Sequence, residues 1–152
     1  MRRDSKLSSI LHLLLHMAHS KLPLTSDQLA GFLQTNPVLV RRTLAGLRER
    51  GYVGSEKGHG GGWVVTVDLH AVTLQDIYES VGSPTVFAMG NRDDAPACLV
   101  ERVVNASLSD AFDAAEALLI SRFAGITLAD LSARFNAQYA QHQGQHHGHL
   151  PE

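Results

Sequence analysis

The residues best placed to do chemistry in this chain lie in its first sixty positions. Asn36-Pro37 is followed closely by Arg41-Arg42, and further on Lys57 leads a run of glycines at 58, 60, 61 and 62. Arginine pairs on the first turns of a helix can meet phosphates and base edges, because the guanidinium offers a planar fork of donors. A lysine on a glycine-rich tip can lie close to a phosphate backbone, because glycine leaves no side chain in the way. Either feature alone is more often a solvated face or a simple turn. Their order along the chain is the stronger signal, and it points to binding of a polyanion.

Other reactive groups are sparse. The single cysteine, Cys98, excludes an internal disulfide and suits a reducing cytoplasm. It stands at the start of a helical pattern, where the dipole favours thiolate; Arg102 would assist and Asp93, Asp94 and Glu101 would oppose. Cys98 is therefore a candidate sensor of oxidants or electrophiles, against the plainer reading of a packing residue. His12 and His16 have i,i+4 spacing on one helix, and His142, His146, His147 and His149 crowd the end of the chain. Without a glutamate between paired histidines, or nearby Cys or Asp ligands, these make no metal centre, and no metal or other cofactor is expected. No phosphate loop with Lys-Ser/Thr, nucleophile elbow or Cys-His pair is readable, so the chain is not expected to be an enzyme.

Helical periodicity supplies the elements that must position these groups. Leu7, Ile10, Leu11, Leu14, Leu15 and Ala18 share one helix face, ended before Pro23. Thr25-Ser26-Asp27-Gln28 reads as a capping box for a short second helix with Leu29, Ala30, Phe32 and Leu33 on its apolar side. Asn36 as cap and Pro37 in the first helical position open a third helix, which runs to Arg50 and stops at Gly51. Val40, Leu44 and Leu47 form its inner face. Tyr52 to Ser55 and Trp63 to Val67 read as two short strands around the glycine tip. Thr73 to Asp76 repeats the capping-box pattern and starts a helix toward Val81.

The second half differs. Residues 82–97 read as a loop, and Cys98 to Arg122 as a helix of ~25 residues spanning ~38 Å. Val104, Leu108, Ala111, Ala115 and Leu118 form its stripe, widened by Phe112 and Leu119. A stripe that long exceeds what the small first half can cover, so it is expected to meet a second copy of itself. Thr127 to Asp130 opens a last helix ending near Tyr139, and the Gln-, His- and Gly-rich tail, 141–152, is expected to be disordered.

Charge follows the same division. Residues 1–60 hold nine Lys/Arg against four acids, a net of +5, whereas the remainder holds four against eleven, a net of −7. Only the first half is suited to a polyanion. No apolar run approaches the ~20 residues of a membrane span, and the stretch from Leu11 to Leu15, broken by His12, does not read as a signal peptide.

Helix, helix, turn, helix and glycine-tipped hairpin is the order of a winged helix-turn-helix. The blocks Asn36-Pro37, Leu44 to Val53, Gly58 to Trp63, Val72 to Ile77 and Ile126 to Leu131 resemble the Rrf2 family of winged-helix regulators, typified by IscR, NsrR and CymR. The resemblance covers roughly residues 5–135. It implies a homodimer joined by the long helix, binding a near-palindromic operator and usually repressing. Two departures stand out. The family's wing carries Arg before its first Gly and often Pro after it, where this chain has Lys57 and His59. Cluster-binding members place three cysteines before and at the start of the long helix; here only Cys98 matches, with Glu101 where a fourth ligand can lie.

The expected fold is mainly α with a small β-wing. It comprises a winged helix-turn-helix over 1–81, a loop over 82–97 and a dimerisation helix plus C-terminal helix over 98–140. The expected function is a dimeric, cytoplasmic, bacterial repressor without an iron–sulfur cluster, open to a small-molecule or protein effector. DNA contacts are assigned to Arg2, Arg3, Lys6, Ser26, Asn36, Pro37, Val38, Leu39, Arg41, Arg42, Lys57, Gly58, His59 and Gly60. The rival is a winged-helix module for protein contact, which would lack the steep salt dependence of phosphate binding.

Overall fold

The computed structural model describes residues 5–87, 91–93 and 95–146. Its elements, in order, are α1 (Lys6–His19), α2 (Ser26–Leu33), α3 (Pro37–Glu49), β1 (Val53–Glu56), β2 (Gly62–Val65), α4 (Leu74–Ser80), α5 (Leu99–Ala124) and α6 (Leu128–His146).

The caps expected from the sequence form. Thr25 Oγ1 accepts from the Gln28 amide at 3.2 Å while the Thr25 amide donates to Gln28 Oε1 at 2.9 Å, closing both halves of the box on α2. Thr73 and Asp76 do the same for α4, the Thr73 amide donating at 2.7 Å. Asn36 Oδ1 accepts from the Leu39 amide at 2.9 Å, and Pro37 fills the first position of α3. Gly51, at φ +81°, ends α3 in a left-handed turn. There the Tyr52 amide donates to the Leu47 carbonyl at 3.0 Å and the Gly51 amide to Arg48 at 2.9 Å, satisfying carbonyls that would otherwise be orphaned.

One core joins α1 to α4. Ile10, Leu13, Leu14 and Met17 of α1 meet Leu29 and Ala30 of α2, Val40, Leu44 and Leu47 of α3, and Ile77 of α4. The buried face of α1 is rotated from the expected stripe: Leu13 and Met17 lie inside, while Leu7 and Leu11 are only partly covered. β1 and β2 pair antiparallel in the register Val53↔Val65 to Glu56↔Gly62. Leu24, just before α2, extends the hairpin: its amide donates to the Trp63 carbonyl at 3.1 Å and Trp63 returns the bond at 2.8 Å.

Two expectations for the C-terminal part need correction. Leu128, the first residue of α6, is fully buried in the core, and its amide donates to the Val72 carbonyl at 2.9 Å. Helix α6 packs on α1, with Phe135 against His19 at 4.4 Å between ring centroids. The C-terminal helix thus belongs to the first body, and residues 98–140 are not a separate unit. The helix also runs to His146, so 141–146 is helical rather than disordered; Gln and Ala tolerate helix well, and one glycine, Gly144, does not stop a helix already docked by its first turns. Residues 147–152 lie outside the described residues.

Helix α5 leans on α4 through Phe123 against Tyr78 at 5.9 Å. Phe87 of the preceding loop lies 5.7 Å from Phe112. None of its 26 residues is buried.

Candidate nucleic-acid interface

The sharp turn between α2 and α3 sets the angle at which α3 is presented. Gln34 takes a left-handed conformation, φ 52° and ψ 48°, and the Thr35 amide donates to the Ala30 carbonyl at 3.0 Å. With Val40, Leu44 and Leu47 buried, the opposite face of α3 reaches solvent. Val38 and Leu39 are 58% and 49% exposed, and Arg41 and Arg42 are exposed beside them. An apolar pair flanked by two guanidinium groups can meet thymine methyls and base or phosphate oxygens together. Asn36 spends its carbonyl oxygen on the cap, which leaves its amide group as a donor.

The wing is fixed to the helices by Trp63. Its indole Nε1 donates to Ser26 Oγ at 3.0 Å, while the Arg48 guanidinium lies 5.8 Å from the ring centroid. Arg48 also reaches Ser55 Oγ at 3.4 Å. One aromatic side chain therefore ties β2 to α2 and α3, and Ser26 is an anchor for the wing. Gly62 permits the close approach of Leu24: a Cβ there would stand 2.6 Å from the Leu24 carbonyl oxygen. Lys57, Gly58, His59 and Gly60 are exposed at the hairpin tip.

The remaining assigned residues divide. Lys6 Nζ donates to the Val81 carbonyl at 3.2 Å, tying the start of α1 to the end of α4. Arg2 and Arg3 lie outside the described residues. Trp63 and Arg48 were missed as positioning residues; the aromatic after the glycine run was the one sequence signal for them. The stripe assigned to dimerisation lies open on α5: Val104, Leu108 and Leu118 are 49%, 41% and 64% exposed. Ala111 and Ala115 are exposed too, while Phe112 and Leu119 are half-covered. Leu99, Val100 and Val103 extend the exposed apolar surface toward the helix start.

On α1, His16 stacks on Phe32 of α2, ring centroids 3.8 Å apart and planes 2° from parallel, and its Nε2 lies 2.9 Å from that of His12. Partial burial, then the neighbouring His12 and His19, hold the His16 pKa below its ordinary value. No group of three or more His, Cys, Asp or Glu converges as metal ligands among the described residues. No helix among them is long and apolar enough to cross a membrane.

A three-helix core, a sharp turn, an exposed basic helix face and a pinned hairpin beside it define a winged helix-turn-helix DNA-binding protein. Residues 3–134 match the model of the Rrf2 family, described as iron-dependent transcriptional regulators. The chain belongs to that family, whose members are regulators of transcription rather than enzymes. No curated protein matches the sequence. Among solved structures, a candidate transcriptional regulator from Lactobacillus plantarum is 27% identical. The match covers 93% of this chain and 97% of that one, with a TM-score of 0.71. CymR, the global cysteine regulator of Bacillus subtilis, shares the fold at 22% identity and a TM-score of 0.59, over 88% of this chain and 98% of that one. IscR of T. potens shares it at 17% and 0.64, over 93% and 91%.

The family description names iron dependence. An iron–sulfur cluster is held by several thiolates. Here Cys98 is the single cysteine; it is exposed before α5, with the carboxylate of Glu101 one turn on. One thiol and one carboxylate per chain do not fit a cluster.

Proposed function

We propose that this protein is a sequence-specific repressor that works as a cytoplasmic, bacterial homodimer on a near-palindromic operator, without an iron–sulfur cluster. The observation that carries the reading is the exposed face of α3, where Val38, Leu39, Arg41 and Arg42 stand free of the core beside a pinned, glycine-tipped wing. Asn36, Pro37, Val38, Leu39, Arg41 and Arg42 supply base contacts, and Lys57, Gly58, His59 and Gly60 supply wing contacts to phosphate or the minor groove. Arg2, Arg3 and Lys6 add cationic surface. The α5 stripe, Val104, Leu108, Ala111, Phe112, Ala115, Leu118 and Leu119, joins the two copies. Two recognition helices then face half-sites about one DNA turn apart.

The test is fluorescence anisotropy with the DNA upstream of the protein's own gene, at low and moderate salt, for wild type and Arg41→Ala/Arg42→Ala. The expected result is binding that outcompetes random DNA and weakens steeply with salt. It should fall at least about tenfold for each arginine lost, the effect of ~1.4 kcal/mol per contact. Absence of binding to any DNA would favour a protein partner on the same face.

A further inference from the structure

A cleft of about 620 Å³ opens between the start of α1 and the flank of α3. Its walls include Ile10 and Leu33, and Ser9, Thr35 and Thr43 also line it. Among the described residues, Lys6 and Arg42 are the charged ones lining it. Gly46 leaves one wall open, since a Cβ there would meet nothing within 4 Å. The volume falls within the range of small-ligand sites, and apolar walls with a few convergent polar groups are what such sites require.

We propose that this cleft binds a small amphipathic anion, a carboxylate or sulfonate with a hydrocarbon body, and that occupancy withdraws Arg42 from DNA. The anionic group pairs with the Arg42 guanidinium at the rim of the cleft, and the hydrocarbon covers the walls. A DNA phosphate shares the anion chemistry but has no body to fill the apolar part. Because Arg42 and Leu39 belong both to this cleft and to the exposed face of α3, ligand and DNA compete. The regulatory half of the inference rests on the DNA-binding role proposed above; the binding half does not.

The first measurement uses the full chain without DNA and 1-anilinonaphthalene-8-sulfonate as the fluorescent anion. Saturable binding at one site per chain is expected, weakened at least about fivefold by Arg42→Ala and by Gly46→Leu, which fills the cleft. Arg134→Ala, exposed on α6 and outside the cleft, should leave it unchanged. Octanoate should displace the probe and inorganic phosphate should not. Binding indifferent to Arg42→Ala and Gly46→Leu, or displaced equally by phosphate, overturns the site. The second measurement adds octanoate to the DNA titration, where affinity should fall for wild type and hold for Gly46→Leu. Octanoate that fills the cleft yet leaves DNA affinity unchanged overturns the regulatory half. Failure to bind DNA before any octanoate is added counts against the DNA-binding reading, while the probe titration still decides the cleft.

Discussion

The body formed by α1 to α4 and the long helix α5 are both built on apolar stripes, yet they dispose of them in opposite ways. Ile10, Leu13, Leu29, Leu44 and Ile77 are all at or below 2% exposure. In α5 no residue is buried, and six large apolar side chains stand 41% to 71% exposed. The difference is one of geometry. Helices α1 to α3 are only about two to four turns long and pack into one core; α5, at ~39 Å, outruns the seven-residue α4 on which it leans. An apolar periodicity therefore reveals which face seeks cover, and helix length against its neighbours reveals whether the chain can supply it. Burying such a stripe against a second copy would stabilise a dimer, at about 25 cal/mol per Å² removed from water.

The largest expected effect breaks that contrast at α5. Val104→Glu/Leu118→Glu would place carboxylates in the proposed seam, at a cost of several kcal/mol for unpaired charges taken out of water. Light scattering should report half the wild-type mass, and operator affinity should drop by more than about a hundredfold as the two half-sites are read singly. An unchanged mass would show that α5 is not the seam. Within the body, Leu44→Ala should lower unfolding free energy by about 2–5 kcal/mol in urea titrations, since Leu44 has no exposed surface and its cavity is closed on all sides. The same truncation at Leu118 should cost the isolated subunit under about 0.5 kcal/mol.

A smaller effect tests how the wing is held. Gly62→Ala brings a Cβ against the Leu24 carbonyl and opens the paired bonds between Leu24 and Trp63. A loss of about 1–3 kcal/mol is expected, with weaker DNA binding and no change in mass. Smaller still, and of opposite sign, Gln34→Gly should stabilise by about 0.5–1 kcal/mol, because Gln34 holds a left-handed conformation that glycine adopts freely. Denaturant midpoints decide both.

How much of this was legible in the sequence depended on range. Caps at Thr25, Asn36 and Thr73, the stop at Gly51 and the face of α3 follow from residues within four positions of one another, and all were readable. The bridge from Leu24 to Trp63, the bond from Trp63 to Ser26 and the burial of Leu128 join positions far apart in the chain; periodicity carries no information about them. The rotation of α1 has a related cause. Leu11, Leu13, Leu14 and Leu15 are nearly equivalent by composition, so tertiary packing chose among them. The candidate contacts were readable as residue types, but that Lys6 is tied to Val81 and Ser26 to Trp63 emerged only from the fold.

The smallest effect concerns the α1–α2 seam, where His16 stacks on Phe32. Its folded pKa is lowered, by partial burial first and by His12 and His19 next. The unfolded chain therefore binds more protons than the folded one between the ordinary value of 6.5 and the lower folded one. The stability from this neutral, stacked ring is fully present above about pH 6.5 and is lost as pH falls toward the folded value. A modest drop in Tm from pH 7.5 to 5.5 is expected, and His16→Gln should flatten that slope while removing the stack itself. A slope unchanged in His16→Gln would assign the pH dependence to other histidines. A slope abolished there, with α5 and the dimer mass untouched, would place the acid-sensitive contact within the body, on the side of the molecule that already covers its own apolar surface.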